Sequence, residues 1–158
     1  MPKLIRDGAI VEDDLGPVNP ESVESGHLLT LEQWLALPDK SGSCVQLEPG
    51  DGAAPLLEAL ADIRVVAINL LSASAYSVMN TVSENYAREL RERGYSGELR
   101  AVGQCIPDQL HYLTRCGFNA FQPESEDDLA QALVSLKGFS EHYQAAIDNP
   151  QPLFRRRG

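Results

Sequence analysis

Hydrophobic and polar positions along this chain switch repeatedly between helical and strand-like spacing, most compactly over residues 84–121. There an apolar helical face ends at Gly94, a short strand follows, and a second helical face that starts near Pro107 ends at Gly117. Two strands joined by a helix of this length predict a parallel pair with a right-handed crossover.

Four segments have a strand-like composition, with helical segments between them: residues 44–48, 64–71, 98–102 and 119–122. The second is a nearly continuous apolar run, which is typical of a central strand covered on both faces. We therefore predict an α/β fold with a small open parallel sheet of about four strands. Its winding is either flavodoxin-like or half-barrel-like, because a full eight-stranded barrel needs roughly 200 residues or more.

Capping signals and apolar spacing place the remaining helices. Thr30 is a candidate N-cap within residues 28–37, where Leu31, Trp34 and Leu35 share one face. The other signals are Leu56, Leu57 and Leu60 for a short helix, the Thr81–Glu84 capping-box pair for the helix that ends at Gly94, and Leu129, Leu133 and Leu136 for a helix after Ser125. Residues 72–80 fit either a loop or the start of a helix.

The chain divides into a hairpin, a linker, one domain and a tail. Asp7-Gly8 between two apolar runs predicts an N-terminal β-hairpin over residues 1–12, which is too small to be stable unless it packs on the body or on a partner. Residues 13–27 are acidic and contain two prolines, as in a linker or surface loop. Residues 28–148 form a single α/β domain, and residues 149–158 form a C-terminal tail.

Charge and cysteine content exclude several classes of function. The 158-residue chain has a formal net charge of -10, which argues against nucleic acid and against an anionic membrane surface as partners. No apolar run reaches the ~18 residues of a membrane span, and the N-terminus lacks the apolar core of a signal peptide. The three cysteines form no C-x-x-C pair, which favours a reduced, cytoplasmic protein. A homo-oligomer is compatible with the sequence.

Metal and cofactor signatures are missing from the sequence. The histidines His27, His111 and His142 have no ligand spacing, so we predict no metal site. No G-x-G-x-x-G follows a strand and no flavin-type loop is present, so no cofactor is evident. Cys116 is interpreted as a small apolar residue at the inner end of a helix, rather than as a redox thiol.

Four segments resemble the bacterial domain-of-unknown-function family 934. The matching residues are Leu90-Arg91, Gly94-Tyr95, 97–103, Asp108-Gln109, 115–118, Ala120-Phe121 and 152–157. The Asp7-Gly8 hairpin is also similar. Members of this family are often labelled oxidoreductases and are typically encoded beside assimilatory sulfite reductase. The resemblance therefore implies a role in sulfur assimilation.

Two loops depart from the family's pattern where that pattern carries ionisable residues. Counted back from Tyr95 without gaps, the family's D-G-R-x-Y-S falls on residues 80–85, so Asn80 stands where the family has an aspartate. The family's later G-D falls on Gly103-Gln104, so Gln104 replaces a second acid. Both loops follow predicted strands, at the carboxyl edge where ligands bind in open α/β sheets. If the family's site lies there, this chain has lost its titrating groups, which favours binding over catalysis.

The candidate ligand-binding residues lie near that edge or face it: Asn80, Arg100, Gln104, Asp108, Gln109 and Arg115. The N-terminus of a helix, such as that predicted near Pro107, can bind an anion or a polar ligand. The alternative is that Asp108 is there because an acidic side chain in the first turn stabilises a helix. A buried Arg100 needs a partner, and Glu98, on the same strand face, is expected to pair with it.

The C-terminal tail supplies the candidate partner-binding residues Phe154, Arg155, Arg156 and Arg157. A phenylalanine anchor with arginines suits an acidic groove on a partner or on this acidic chain. The alternative is a solvated end that aids solubility.

Three hypotheses follow. The first is an accessory or interaction protein of assimilatory sulfate and sulfite reduction, with sulfite reductase or another sulfur-assimilation protein as its partner and no catalytic site of its own. The second is a cofactor-dependent oxidoreductase of sulfur assimilation. The third is a small-anion-binding α/β domain, which requires Arg100 or Arg115 to face the site.

Overall fold

The computed structural model describes residues 3–24, 26–70, 85–103, 110–123 and 125–137. Its strands are β1 (Lys3–Arg6), β2 (Ala9–Glu12), β3 (Leu29–Thr30), β4 (Ser43–Leu47), β5 (Ile63–Leu70), β6 (Glu98–Gly103) and β7 (Ala120–Pro123). Its helices are α1 (Leu31–Leu35), α2 (85–92), α3 (Leu110–Cys116) and α4 (Leu129–Lys137), with 3-10 segments at Ala54–Asp62 and Glu126–Asp128.

All seven described strands form one sheet in the order β2-β1-β7-β6-β5-β4-β3. Strands β3 to β7 are parallel, and β1 is antiparallel to both of its neighbours. The four predicted strands are confirmed, and β5 and β6 pair in parallel, with Val65 opposite Glu98 and Leu70 opposite Gly103. The predicted strand number is too low, because the hairpin and β3 also join the sheet.

The N-terminal hairpin is confirmed and extends the sheet. Asp7 and Gly8 have φ values of 51° and 81°, as a primed two-residue turn requires. β1 pairs with β7 through Ile5 opposite Phe121 and Arg6 opposite Ala120, so the hairpin packs on the body as expected.

Thr30 caps α1 as predicted, but the helix is shorter than residues 28–37. The Thr30 hydroxyl accepts a hydrogen bond from the Gln33 backbone N–H at 3.1 Å, and the Thr30 backbone N–H donates to Gln33 Oε1 at 3.0 Å. Leu29 and Thr30 form the edge strand β3. This strand was not predicted because its two residues also fit a helical spacing. Trp34 is buried, whereas Leu35 is 52% exposed, so the expectation that Leu35 shares the buried face is wrong.

All described α-helices contribute to the core on one side of the sheet, which we call the helix-covered face. Its strand residues include Val45, Val66, Leu99 and Phe121, and they form a cluster with residues of α1, α2, α3 and α4. Since the parallel strands follow each other in chain order, right-handed crossovers place successive helices on the same side. A flavodoxin-like sheet instead reverses its strand order.

The predicted ends of α2 and α3 are confirmed. After Gly94, the Tyr95 N–H donates to the Leu90 carbonyl at 2.9 Å, and after Gly117 the Phe118 N–H donates to the Leu113 carbonyl at 3.2 Å. The Thr81–Glu84 capping pair, residues 72–80, Pro107 and the C-terminal tail lie outside the described residues. Among the helices that are described, none has the length and apolar character needed to cross a membrane.

Candidate functional site

The second face of the sheet is covered by residues 13–28 without residue 25, which we call the 13–28 segment. Leu15 and Leu28 from this segment pack on Cys44, Val65 and Ala67 of β4 and β5. The segment is held in a loop because the Gly16 N–H donates to the Gly26 carbonyl at 2.8 Å and the Leu28 N–H donates to the Gly16 carbonyl at 3.0 Å. Within the stretch predicted as a linker or surface loop, Asp13 and Leu15 are therefore buried.

Arg100 lies on this segment-covered face and is fully buried. Its Nε donates to Glu98 Oε2 at 2.8 Å, which confirms the expected pair. Its Nη1 donates to Asp13 Oδ2 at 3.1 Å and to Gln122 Oε1 at 3.3 Å, while the buried Nη2 has no hydrogen-bond partner among the described residues. The second carboxylate, from Asp13, was not expected from the sequence.

The charges of this cluster balance each other. The other Glu98 oxygen accepts from Arg6 Nε at 2.6 Å, so two arginines face two carboxylates. The Asp13 carboxylate also accepts from the Leu15 N–H at 3.1 Å, which ties the start of the 13–28 segment to the sheet. Because each charge is neutralised inside the cluster, Arg100 serves structure and has no net charge to offer a ligand.

Arg115 is exposed in the last turn of α3. This helix packs on the helix-covered face through Leu110, Leu113 and Cys116, so the structure places Arg115 and Arg100 on opposite faces of the sheet. The other predicted ligand-binding residues, Asn80, Gln104, Asp108 and Gln109, lie outside the described residues, as do Phe154, Arg155, Arg156 and Arg157.

A cleft of about 370 Å³ opens at the carboxyl ends of β6 and β7, between the sheet and the 13–28 segment. Five of its described lining residues are apolar: Leu15, Pro17, Leu28, Val102 and Pro123. Gly16 and Gly103 supply backbone, and Gln46 and Gln122 supply the polar side chains. The described lining thus contains amides but no titrating side chain, at the edge where parallel sheets bind ligands.

A polar network borders the cleft at the ends of β4 and β5. Gln46 Nε2 donates to Glu48 Oε2 and Asn69 Nδ2 donates to Glu48 Oε1, both at 2.7 Å. Gly103 has a φ of +85°, and a Cβ atom there would lie 2.4 Å from Asn69 Oδ1. This network was not predicted, although a polar Asn69 near the end of an apolar strand is a signal that could have indicated it.

Several of the described residues in the segments that carry the family resemblance lie at the opposite, amino edge of the sheet. Arg91 donates to the backbone carbonyls of Tyr95, Gly97 and Gly117 at 3.0, 2.8 and 2.9 Å. Asn119 accepts from the Leu99 N–H at 2.8 Å. These bonds hold the turns that precede β6 and β7.

Tyr95 is the buried member of this amino-edge group. Its hydroxyl lies 3.0 Å from the Glu98 carbonyl and 3.2 Å from the Arg64 carbonyl, and burial raises the pKa of Tyr95. A Cβ on Gly97 would lie 2.4 Å from the Tyr95 hydroxyl, which explains glycine at that position. These bonds therefore maintain the fold at the amino edge, while Val102 and Gly103 at the end of the same motif line the cleft at the other edge.

Cys116 is fully buried in the core, as its interpretation as an apolar residue requires. Arg88 Nη2 lies 3.6 Å from its sulfur. Across the part of the chain that the structure describes, no group of three or more His, Cys, Asp or Glu residues is placed to hold a metal ion.

The family model for DUF934, described as a bacterial protein of unknown function, matches residues 44–154. The matched range includes β4 to β7 and α2 to α4 and confirms the resemblance found in the sequence. No curated protein and no solved structure matches the chain.

Proposed function

Because the chain belongs to the DUF934 family of bacterial proteins, we propose that it is an accessory protein of assimilatory sulfite reduction, one that binds and does not catalyse. The observation that carries this proposal is the composition of the cleft at the carboxyl ends of β6 and β7. Its described lining combines apolar side chains with two carboxamides. Such a lining holds a ligand in place but provides no general acid or base.

The charged cluster behind the cleft supports the same proposal. Arg100, Asp13 and Glu98 could in principle move protons or bind an anion, but their charged atoms contact each other at 2.8–3.1 Å. Breaking such a buried pair to serve a substrate would leave an uncompensated charge at a cost of several kcal/mol. The small-anion alternative therefore gains no support from Arg100, and Arg115 lies on the other face of the sheet.

We further propose that the winding of the sheet is half-barrel-like. The parallel strands run in chain order, and the described helices pack on one face, as in an arc of a (β/α)₈ barrel. The segment-covered face then corresponds to the interior of such a barrel, where the 13–28 segment takes the place of the missing strands. By this analogy the carboxyl edge, and hence the cleft, is where function is expected.

The partner hypothesis rests on the family's association with sulfite reductase. We expect the purified full-length chain to bind purified assimilatory sulfite reductase of the same organism in a pull-down and in size-exclusion chromatography. A variant lacking residues 153–158 should bind more weakly if the arginine-rich tail contributes. The matched control replaces these six residues by a glycine-serine hexapeptide of equal length, which separates the loss of sequence from the loss of length.

Lack of binding by both the full-length chain and the tail variant would refute the partner hypothesis. The oxidoreductase alternative predicts a different result, namely visible absorbance of the purified protein or saturable binding of a nicotinamide or flavin cofactor. A colourless protein that binds neither cofactor would rule out that alternative.

A further inference from the structure

We propose that the cleft between the 13–28 segment and the ends of β6 and β7 binds a small, uncharged aromatic molecule that carries an N–H or O–H donor. This inference rests on the proposed binding function and names the class of ligand. Three observations support it: the apolar lining of the cleft, the charges of the residues around it, and the side-chain oxygen of Gln46 as a hydrogen-bond acceptor.

The walls of the cleft suit an aromatic ring. Leu15 and Leu28 on the segment side face Val102 on the sheet side, and glycine and proline residues complete the described lining without further bulk. The volume of about 370 Å³ falls within the range of roughly 300–1,000 Å³ that holds small organic ligands.

The charges of the described residues around the cleft disfavour an anionic ligand. On one side, Arg100 is neutralised by Asp13 and Glu98 and offers no net positive charge. On the other side, Glu48 places a carboxylate at the ends of β4 and β5, and the chain as a whole carries a charge of -10. An anion would lose its hydration and meet negative potential, whereas an uncharged ring loses little.

Gln46 supplies the polar contact. Its Nε2 already donates to Glu48 Oε2 at 2.7 Å, so the carboxamide is oriented and its oxygen remains to accept a hydrogen bond. Gln122 is held in turn because its oxygen accepts from Arg100 Nη1 at 3.3 Å. The side-chain amides of Gln46 and Gln122 are therefore held in place on walls that are otherwise apolar. The Gln46 oxygen favours a ligand that carries a hydrogen-bond donor.

The test is a fluorescence titration of the intact chain with N-phenyl-1-naphthylamine, which is uncharged, aromatic and has one N–H. We expect saturable enhancement at one site, and weaker binding of the anionic probe 8-anilinonaphthalene-1-sulfonate. Val102→Phe fills the cleft and should weaken binding at least tenfold. Val134→Phe makes the same change at an exposed position of α4 and should leave binding unchanged.

Gln46→Leu keeps the size of the side chain and removes the acceptor. It should weaken binding of N-phenyl-1-naphthylamine about fivefold, as expected for one neutral hydrogen bond. It should not weaken binding of the N-methyl derivative, which has no donor. Equal losses for the two probes would contradict the assigned role of Gln46.

A second measurement does not depend on whether the variants fold. In the unsubstituted protein, N-phenyl-1-naphthylamine should shift the NMR signals of the Gln46 and Gln122 side-chain amides and of the Gly16 and Gly103 backbone amides. Shifts confined to other residues, absence of binding, or tighter binding of the anionic probe would overturn the proposal. Binding of sulfite reductase by a chain that fails this test would leave the proposed accessory function standing, so the two failures are distinguishable.

Discussion

Replacing Asp13 by asparagine is expected to destabilise the protein by about 3 kcal/mol. Arg100 is fully buried and Asp13 is 2% exposed, so the change leaves a buried guanidinium without one of its two carboxylates. Breaking a buried ion pair costs roughly 3–5 kcal/mol, and we take the lower end because Glu98 still accepts from Arg100 Nε. Asparagine keeps the size of the side chain and an oxygen for the Leu15 N–H, but its NH2 group takes the place of Oδ2, so Arg100 Nη1 loses an acceptor together with the negative charge.

Urea unfolding of the full-length chain measures this loss. With a slope near 2 kcal/mol per molar urea, a loss of 3 kcal/mol lowers the midpoint by about 1.5 M. Asp14→Asn is the matched control at the next position. The Asp14 side chain is 66% exposed and its carboxylate lies 3.7 Å from Arg64, so this variant should lose less than about 1 kcal/mol. Equal midpoints for the two variants would refute the reasoning.

A double-variant cycle separates the ion pair from other effects of each substitution. Arg100→Met alone strands the buried Asp13 carboxylate, whereas Arg100→Met with Asp13→Asn removes both charges. We therefore expect the double variant to be more stable than the sum of the single losses predicts, by about 1–3 kcal/mol. Simple additivity would mean that the contact at 3.1 Å contributes nothing specific.

Three further predictions concern the edges of the sheet. Burial raises the pKa of Tyr95 in the folded state. Above a pH of about 10 the unfolded chain therefore loses the proton of the Tyr95 hydroxyl while the folded chain keeps it, so the free energy of unfolding should fall as the pH rises. Urea unfolding between pH 8 and 11 should show a shallower fall for Tyr95→Phe, and parallel curves would contradict this. Arg91→Leu should cost about 2 kcal/mol in the same assay because three backbone carbonyls lose a donor. Arg93→Leu, at the exposed position directly after α2, should cost less than about 0.5 kcal/mol, and similar losses for the two variants would contradict the proposed bonds. Gly103→Ala should cost about 2 kcal/mol more than Gly52→Ala, because both have positive φ but the new Cβ meets backbone within 2.6 Å only at the first position. Equal melting temperatures for the two alanine variants would contradict this prediction, because Asn69 and the Leu70 carbonyl would then have shifted to accommodate the new Cβ.

The sequence predicted the elements whose signals are local. The apolar run of β5, the glycines that end α2 and α3, the Thr30 cap and the Asp7-Gly8 turn each depend on residues close together in the chain. The two-residue strand β3 escaped prediction because its residues also fit the start of a helical pattern. Its pairing with Val45 and Gln46 of β4 is a tertiary property.

The buried charge cluster could be predicted only in part. Glu98 and Arg100 lie two residues apart on one strand, so their contact follows from the alternation of side chains. Asp13 lies 87 residues from Arg100, within an acidic stretch, and no periodicity distinguishes it from the exposed Asp14. Which of two adjacent aspartates is buried depends on how the 13–28 segment crosses the sheet.

Only part of the segments that carry the family resemblance reaches the cleft, namely Val102 and Gly103, and this limits what the resemblance can say about chemistry. Arg91, Tyr95, Gly97 and Asn119 hold the turns before β6 and β7, so they are explained by the fold alone. These residues indicate a shared scaffold, and under our proposal the ligand is selected at the carboxyl edge by residues such as Gln46. We therefore expect Gln46→Leu in the cleft to change binding with little effect on stability, whereas Arg91→Leu at the amino edge should lower stability with little effect on binding.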